Sequence, residues 1–215
     1  MAAREKPKFA PLPINLLARG VAWVLSKALW RIRWHGTENI PEKDSTAYIV
    51  AANHQTYLDP PWITTPIDQK LSFMAFDTAF DWRVIGPMIR HLGAFPISTD
   101  GQGALGPMKN ALRALKAGAA LVVFPEGARA FSDGKMLGFK NGVARLAIQA
   151  RVPILPVTVS GGNRVWPRNQ KWPRPFRRVD VTYHPLIYPP GEDLRDGDVY
   201  LTKLLKETIE SYNQD

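Results

Sequence analysis

In Asn53-His54-Gln55-Thr56-Tyr57-Leu58-Asp59 a histidine stands five residues before an aspartate, between the apolar run Tyr48-Ile49-Val50-Ala51-Ala52 and Pro60-Pro61-Trp62. Of the chain's four histidines (His35, His54, His91 and His184), His54 alone has an aspartate so placed. On a loop between strand and helix, His54 can fold back toward Asp59. The carboxylate then accepts the Nδ1 proton and leaves Nε2 to take a proton from a hydroxyl. Such a general base contributes roughly 10²–10⁴ in rate. The same spacing also fits a helix-capping aspartate beside a surface histidine.

A second constellation is Phe124-Pro125-Glu126-Gly127-Ala128-Arg129. It leaves the C-terminal end of an apolar strand pattern, where α/β sheets place their ligands. Gly127 permits a tight backbone path, and Arg129 can clamp a phosphate with two parallel hydrogen bonds. By itself such a turn is also an ordinary strand exit. Two charged turns, each closing an apolar strand, converge on one crevice more economically than they scatter.

The elements that must position them alternate. Strands are expected at residues 47–52, 71–75, 92–97, 120–124, 154–159 and 179–183, with Pro96 marking an edge strand or a strand end. Helices are expected from Pro60 with Asp59 as N-cap, over 105–115 with Gly118 ending it, over 141–149 and over 203–212. This order predicts a single α/β domain with a mixed, largely parallel sheet flanked by helices. Residues 1–33 are expected to form a basic arm and an amphipathic N-terminal helix, and residues 34–215 the domain that carries both constellations.

From Leu12 to Trp30 the chain is mostly apolar, but Arg19 and Lys27 interrupt it, which makes it a poor membrane span. On a helical wheel Ile14, Leu17, Val21, Val24, Leu25 and Ala28 share one face. Arg19, Ser26, Lys27 and Arg31 lie opposite, together with Trp23 and Trp30. That pattern suits an amphipathic helix in a membrane interface with its tryptophans at headgroup level, or a helix packed on the protein's own core.

At 215 residues the chain can bury one sizeable core, and 45% apolar with 22% charged residues describes a folded globular protein. The absence of cysteine excludes disulfides, thiolate metal sites and thiol nucleophiles. The net charge of +9 is concentrated in two zones: residues 1–33 and residues 164–178 each carry +6, leaving −3 for the rest. Two basic zones on a nearly neutral body point to an anionic surface. Trp166, Trp172 and Phe176 among the cations of 164–178 favour a second interfacial patch over a solvated proline-rich loop. Aromatics among cations also suit nucleic acid, but no recognisable module accompanies them, so no nucleic-acid partner is expected. No second histidine stands at ligand spacing from His54, so no metal site is expected.

The two constellations together resemble the phospholipid and glycerol acyltransferase family. Its NHxxxxD motif matches Asn53, His54 and Asp59, and its FPEGTRS motif matches residues 124–130 as FPEGARA. A Val-Pro-Ile-x-Pro-Val strand matches residues 152–157, and Phe139-Lys140-Asn141-Gly142 is similar to the family's FKxG step. The resemblance covers roughly residues 34–186. It implies catalysis by His54 with Asp59, and a substrate site drawing on Asn53, Glu126, Gly127, Arg129, Thr99 and Lys140. Asn53 is better suited to bracing its loop than to touching substrate. No bound cofactor is implied; acyl-CoA or acyl-ACP serves as co-substrate, with acyl-carrier protein a partner in the second case. A lysophospholipid acceptor follows, foremost 1-acyl-glycerol-3-phosphate, on the cytoplasmic face of the inner membrane.

The family's GxFPxxR motif is altered here. Gly93-Ala94-Phe95-Pro96-Ile97-Ser98-Thr99 puts Thr99 where an arginine would grip the acceptor phosphate. A neutral hydroxyl does not replace a charged fork. Either Arg83, Arg90 or Lys109 substitutes, or the acceptor is another lysolipid or a lipid without phosphate. A non-catalytic lipid-binding protein on the same fold remains the alternative to an enzyme.

Overall fold

The computed structural model describes residues 9, 11–83, 85–97, 105–191 and 195–212, apart from the side chains at 12, 15, 85 and 105. Thr99, singled out above, lies outside the described residues.

Strand β2 (Tyr48–Ala52) runs through the middle of the molecule with every residue buried. Its pleat explains how. Tyr48, Val50 and Ala52 face one apolar layer with Trp62, Ile63 and Ile67. Ile49 and Ala51 face the opposite layer with Ala111, Leu115, Val143 and Leu201. A strand covered on both faces reads as an unbroken apolar run, as this one does.

The other strands are β1 (Arg31–His35), β3 (Leu71–Phe76), β4 (Ala94–Ile97), β5 (Ala120–Val123), β6 (Ile154–Ser160) and β7 (Arg178–Tyr183). They form one seven-stranded sheet in the order β1-β7-β6-β2-β5-β3-β4. Every neighbouring pair is parallel except β6 with β7. Helices α1 (Leu12–Leu29), α2 (Asp59–Thr64), α3 (Ile85–His91), α4 (Leu105–Lys116), α5 (Gly142–Ala150), α6 (Gly162–Val165) and α7 (Gly197–Glu210) complete it. The architecture is the expected single α/β domain with a mixed, largely parallel sheet. Pro96 lies in the edge strand β4, where its missing N–H costs no ladder bond to a further neighbour.

Strand β1 was not anticipated. Its alternation of Arg31, Arg33 and His35 with Ile32 and Trp34 is short and highly charged, yet Ile32 is fully buried. Pairing with β7 draws it into the sheet. Helix α7 begins at Gly197, six residues before the expected start.

Helix α1 is inside out relative to a soluble surface helix. Its polar side docks on the protein: Ser26 is buried, Arg19 donates to the Thr65 carbonyl and pairs with Asp68, and Lys27 Nζ donates to the Ile32 carbonyl at 3.0 Å. Ile14, Leu17, Val21, Val24 and Leu25 are instead exposed, Leu17 by 70%. Trp23 is half exposed. Trp30, expected at headgroup level, is a core residue set edge-on against Trp62. Among the described residues no helix is long and apolar enough to cross a membrane.

Candidate active site

The C-terminal ends of the parallel neighbours β2 and β5 open into two loops that are stitched together. The Ala130 N–H donates to the His54 carbonyl at 2.6 Å, and the His54 N–H donates to Glu126 Oε1 at 2.7 Å. The second Glu126 oxygen accepts the Leu137 N–H at 2.7 Å. Glu126 therefore braces both loops with a buried carboxylate, and desolvation raises its pKa against the pull of those two amides.

Asn53 braces the other side. Its Nδ2 donates to the Val159 carbonyl at 2.9 Å, and its Oδ1 accepts the Val159 N–H at 2.7 Å. The backbone register of β2 with β6 runs as far as Ala52 opposite Val157, so the Asn53 amide continues the ladder by one rung. Fully buried and doubly bonded to backbone, Asn53 holds β6 rather than facing the crevice.

His54 leaves the strand end half-buried, its ring stacked on Phe124 with centroids 4.0 Å apart. Asp59 is fully buried and turned back over the loop. Its Oδ2 accepts from His54 Nδ1 at 2.8 Å, from the Gln55 N–H at 2.6 Å and from the Thr56 N–H at 2.8 Å. Its Oδ1 accepts from the Thr56 hydroxyl at 3.0 Å. The expected capping role does not materialise: Leu58 is the N-cap of α2, and Asp59 is the first helical residue, its side chain making no cap bond. Helical geometry at Asp59 aims its carboxylate back along the chain, toward the loop it orders. With Nδ1 held by the carboxylate, Nε2 is the nitrogen left to face a substrate.

Gly127 turns with φ +69°, and a β-carbon there would lie 2.9 Å from Lys140 Nζ. Glycine thus lets the lysine stem lie across the turn, while the Lys140 N–H donates to the Pro125 carbonyl at 2.9 Å. Arg129 is half-buried. Its guanidinium stands over the Tyr57 ring with Cζ 3.8 Å from the centroid, and Nη1 is buried with no hydrogen-bond partner among the described residues. Tyr57 in turn meets Trp82 and Trp166 edge-on, at 5.2 and 5.4 Å.

Tyr57, Gln55 and Phe124 are the residues that the spacing did not single out. Tyr57 and Gln55 occupy free positions of the His-to-Asp motif, and only the fold reveals that one carries Arg129. Gln55 is buried and accepts the Asn163 N–H at 3.2 Å, tying the loop to α6. Among the described residues, no group of three or more acidic, histidine or cysteine side chains could hold a metal ion.

The family model described as Acyltransferase matches residues 31–160. A chloroplastic 1-acyl-sn-glycerol-3-phosphate acyltransferase of Brassica napus is 30% identical over 160 residues, covering 74% of this chain and 46% of that one. A 1-acyl-sn-glycerol-3-phosphate acyltransferase of Streptococcus pneumoniae is 36% identical over 139 residues, covering 62% of this chain and 50% of that one. The chain spans about half the length of these curated relatives. The crystal structure of a 1-acyl-sn-glycerophosphate acyltransferase from Thermotoga maritima superposes with a TM-score of 0.75 at 26% identity, covering 92% of this chain and 79% of that one. The chain belongs to the acyltransferase family.

Proposed function

We propose that the protein transfers a fatty acyl group from an acyl thioester, acyl-CoA or acyl-ACP, to the free hydroxyl of a lysophospholipid. The observation that carries this is the His54–Asp59 pair at 2.8 Å, with Nε2 directed away from the carboxylate. His54 Nε2 takes the proton of the lysolipid hydroxyl as its oxygen attacks the thioester carbonyl. The tetrahedral intermediate collapses with cleavage of the C–S bond. The thiolate leaves readily because thiol pKa values are low, and the proton on His54 then returns to it.

Oxyanion donors come from backbone amides. The amides of His54, Gln55 and Thr56 are committed to Glu126 and Asp59, and that of Gly127 donates to the Phe124 carbonyl. That directs attention to the next amides of the turn, at Ala128 and Arg129. The buried Arg129 Nη1 supports an anionic acceptor, and we assign 1-acyl-glycerol-3-phosphate as the foremost one, as the relatives' names suggest. Glu126 and Asn53 position the loops, while Arg129 and Lys140 face the phosphate. The exposed apolar face of α1 rests on a membrane surface, which we place at the cytoplasmic side of the inner membrane.

The test is a matrix of acyl donors and lysolipid acceptors read by product mass. His54→Ala should lower turnover by roughly 10²–10⁴; unchanged turnover would refute the assignment. In the same matrix, Thr99→Arg should favour phosphate-bearing acceptors, and no gain would put the whole phosphate clamp on Arg129 and Lys140.

A further inference from the structure

We propose that the loop between α6 and β7, residues 166–177, is a second membrane-docking element that inserts Trp172 and Phe176 into an anionic lipid surface beside α1. This rests on the reading of α1 as an interfacial helix and extends it to a separate segment of chain. The loop carries Arg168, Lys171, Arg174 and Arg177, all exposed, and no acidic residue. Trp172 is 72% exposed and Phe176 68% exposed.

Phe176 adopts φ +58°, a left-handed conformation that is a genuine outlier for a bulky side chain. Such strain persists only where surrounding structure over-determines it. Three hydrogen bonds do so here. The Phe176 N–H donates to the Leu29 carbonyl at 2.5 Å, Trp30 Nε1 donates to the Arg174 carbonyl at 3.0 Å, and the Arg31 N–H donates to the Arg177 carbonyl at 3.2 Å. The far side of the loop is fixed by the Arg174 N–H on the Val165 carbonyl and by Trp166 Nε1 on the Gln170 carbonyl. Pro167, Pro173 and Pro175 stiffen what lies between.

The loop is thus fastened to the C-terminal end of α1, where the exposed stripe of Val21, Val24, Leu25 and Leu29 finishes. A strained backbone presents an aromatic ring that packs on little of its own protein. The ring gains only when something apolar meets it from outside. Lipid fits best. A nucleic acid offers nothing to the adjoining aliphatic stripe, and a second copy of this face would bring like charges together.

The full chain should be sedimented with vesicles of phosphatidylcholine alone and of phosphatidylcholine mixed with phosphatidylglycerol. Phe176→Gly is the decisive variant, because glycine adopts positive φ freely. Its Tm should rise while its partition onto mixed vesicles falls; a falling Tm with unchanged partition would overturn the proposal. Paired Arg168→Gln and Lys171→Gln should weaken binding to mixed vesicles by about five-fold per cation removed and leave neutral vesicles unaffected. Leu17→Ser with Val24→Ser tests α1 separately. If these lower binding and the loop variants do not, the loop proposal fails and the α1 reading stands. If the α1 variants bind normally while the loop variants are impaired, the α1 reading fails. A concentration-dependent dimer lost in Phe176→Gly, or oligonucleotide binding lost in the glutamine pair with vesicle binding intact, would also overturn it.

Discussion

Exchange of Asp59 for asparagine isolates a charge without disturbing a shape. The asparagine oxygen can take the Oδ2 position and keep all three donors found there: His54 Nδ1, the Gln55 amide and the Thr56 amide. Its NH₂ then meets the Thr56 hydroxyl, which reverses its hydrogen and accepts. The fold should therefore hold. What disappears is the attraction between the carboxylate and the imidazolium that forms in the transition state. Unit charges about 4 Å apart at an effective dielectric of about 20 attract by about 4 kcal/mol. A neutral hydrogen bond restores about 1 kcal/mol of this. The net loss of about 3 kcal/mol predicts a kcat lowered about 10²-fold, with the acceptor KM little changed. Thiol release can be followed with a chromogenic disulfide free of background, because the protein contains no cysteine. Alanine at the same position should behave differently. It strands two buried amides at about 1–3 kcal/mol each, lowering Tm by roughly 4–24 °C, whereas asparagine should move Tm by less than about 4 °C. Asparagine within two-fold of wild-type kcat, or with its entire defect in KM, would refute the role given to the carboxylate.

Three further perturbations separate bracing from recognition. Tyr57→Phe preserves the face under Arg129 and should match wild type, whereas Tyr57→Ala loses a contact of about 0.5–2 kcal/mol and should raise KM for phosphate-bearing acceptors about 2- to 30-fold. A neutral monoacyl acceptor should not feel the change. Asn53→Ala leaves both Val159 backbone groups unpaired at about 1–3 kcal/mol each, so thermal denaturation should show Tm lower by roughly 4–24 °C. The raised pKa of Glu126 means that, above its unfolded value of 4.5, the folded state holds the proton more tightly than the unfolded chain. Its contribution to stability is then greatest below that value and is lost as pH rises through the folded pKa, a slope that Glu126→Gln should abolish in melts run across that range.

Legibility in the sequence followed how local each cause was. The runs at β2, β5 and β6 are apolar because they are covered on both faces, and they could be read directly. Strand β1 could not, since its charged residues are tolerated only through pairing with β7, a partner some 147 residues distant. The two turns could be brought together by their shared place at strand ends. Asp59 looked like a helix cap because its position before Pro60 is chemically suited to one; whether a carboxylate points forward or back depends on the first helical φ and ψ, which no spacing reveals. The Tyr57–Arg129 stack was equally hidden, because it joins the free positions of one motif to the fixed cation of another.

Asp59 and Glu126 raise an electrostatic objection to the anionic acceptor proposed above, since both carboxylates are buried in the same two loops as the cation assigned to its phosphate, Arg129. The hydrogen bonds answer it. Each carboxylate is closed off by two backbone amides, Asp59 by those of Gln55 and Thr56 and Glu126 by those of His54 and Leu137. Oriented amides offset negative charge locally, and both anions are turned away from solvent. The cations are disposed the other way. Lys140 is exposed across the Gly127 turn, and Arg129 is held by an aromatic face rather than by a carboxylate, which leaves its donors available. A guanidinium paired to Glu126 would have been neutralised before substrate arrived. Stacking on Tyr57 fixes it in place while conserving its charge, which is what the phosphate-binding role proposed for Arg129 requires.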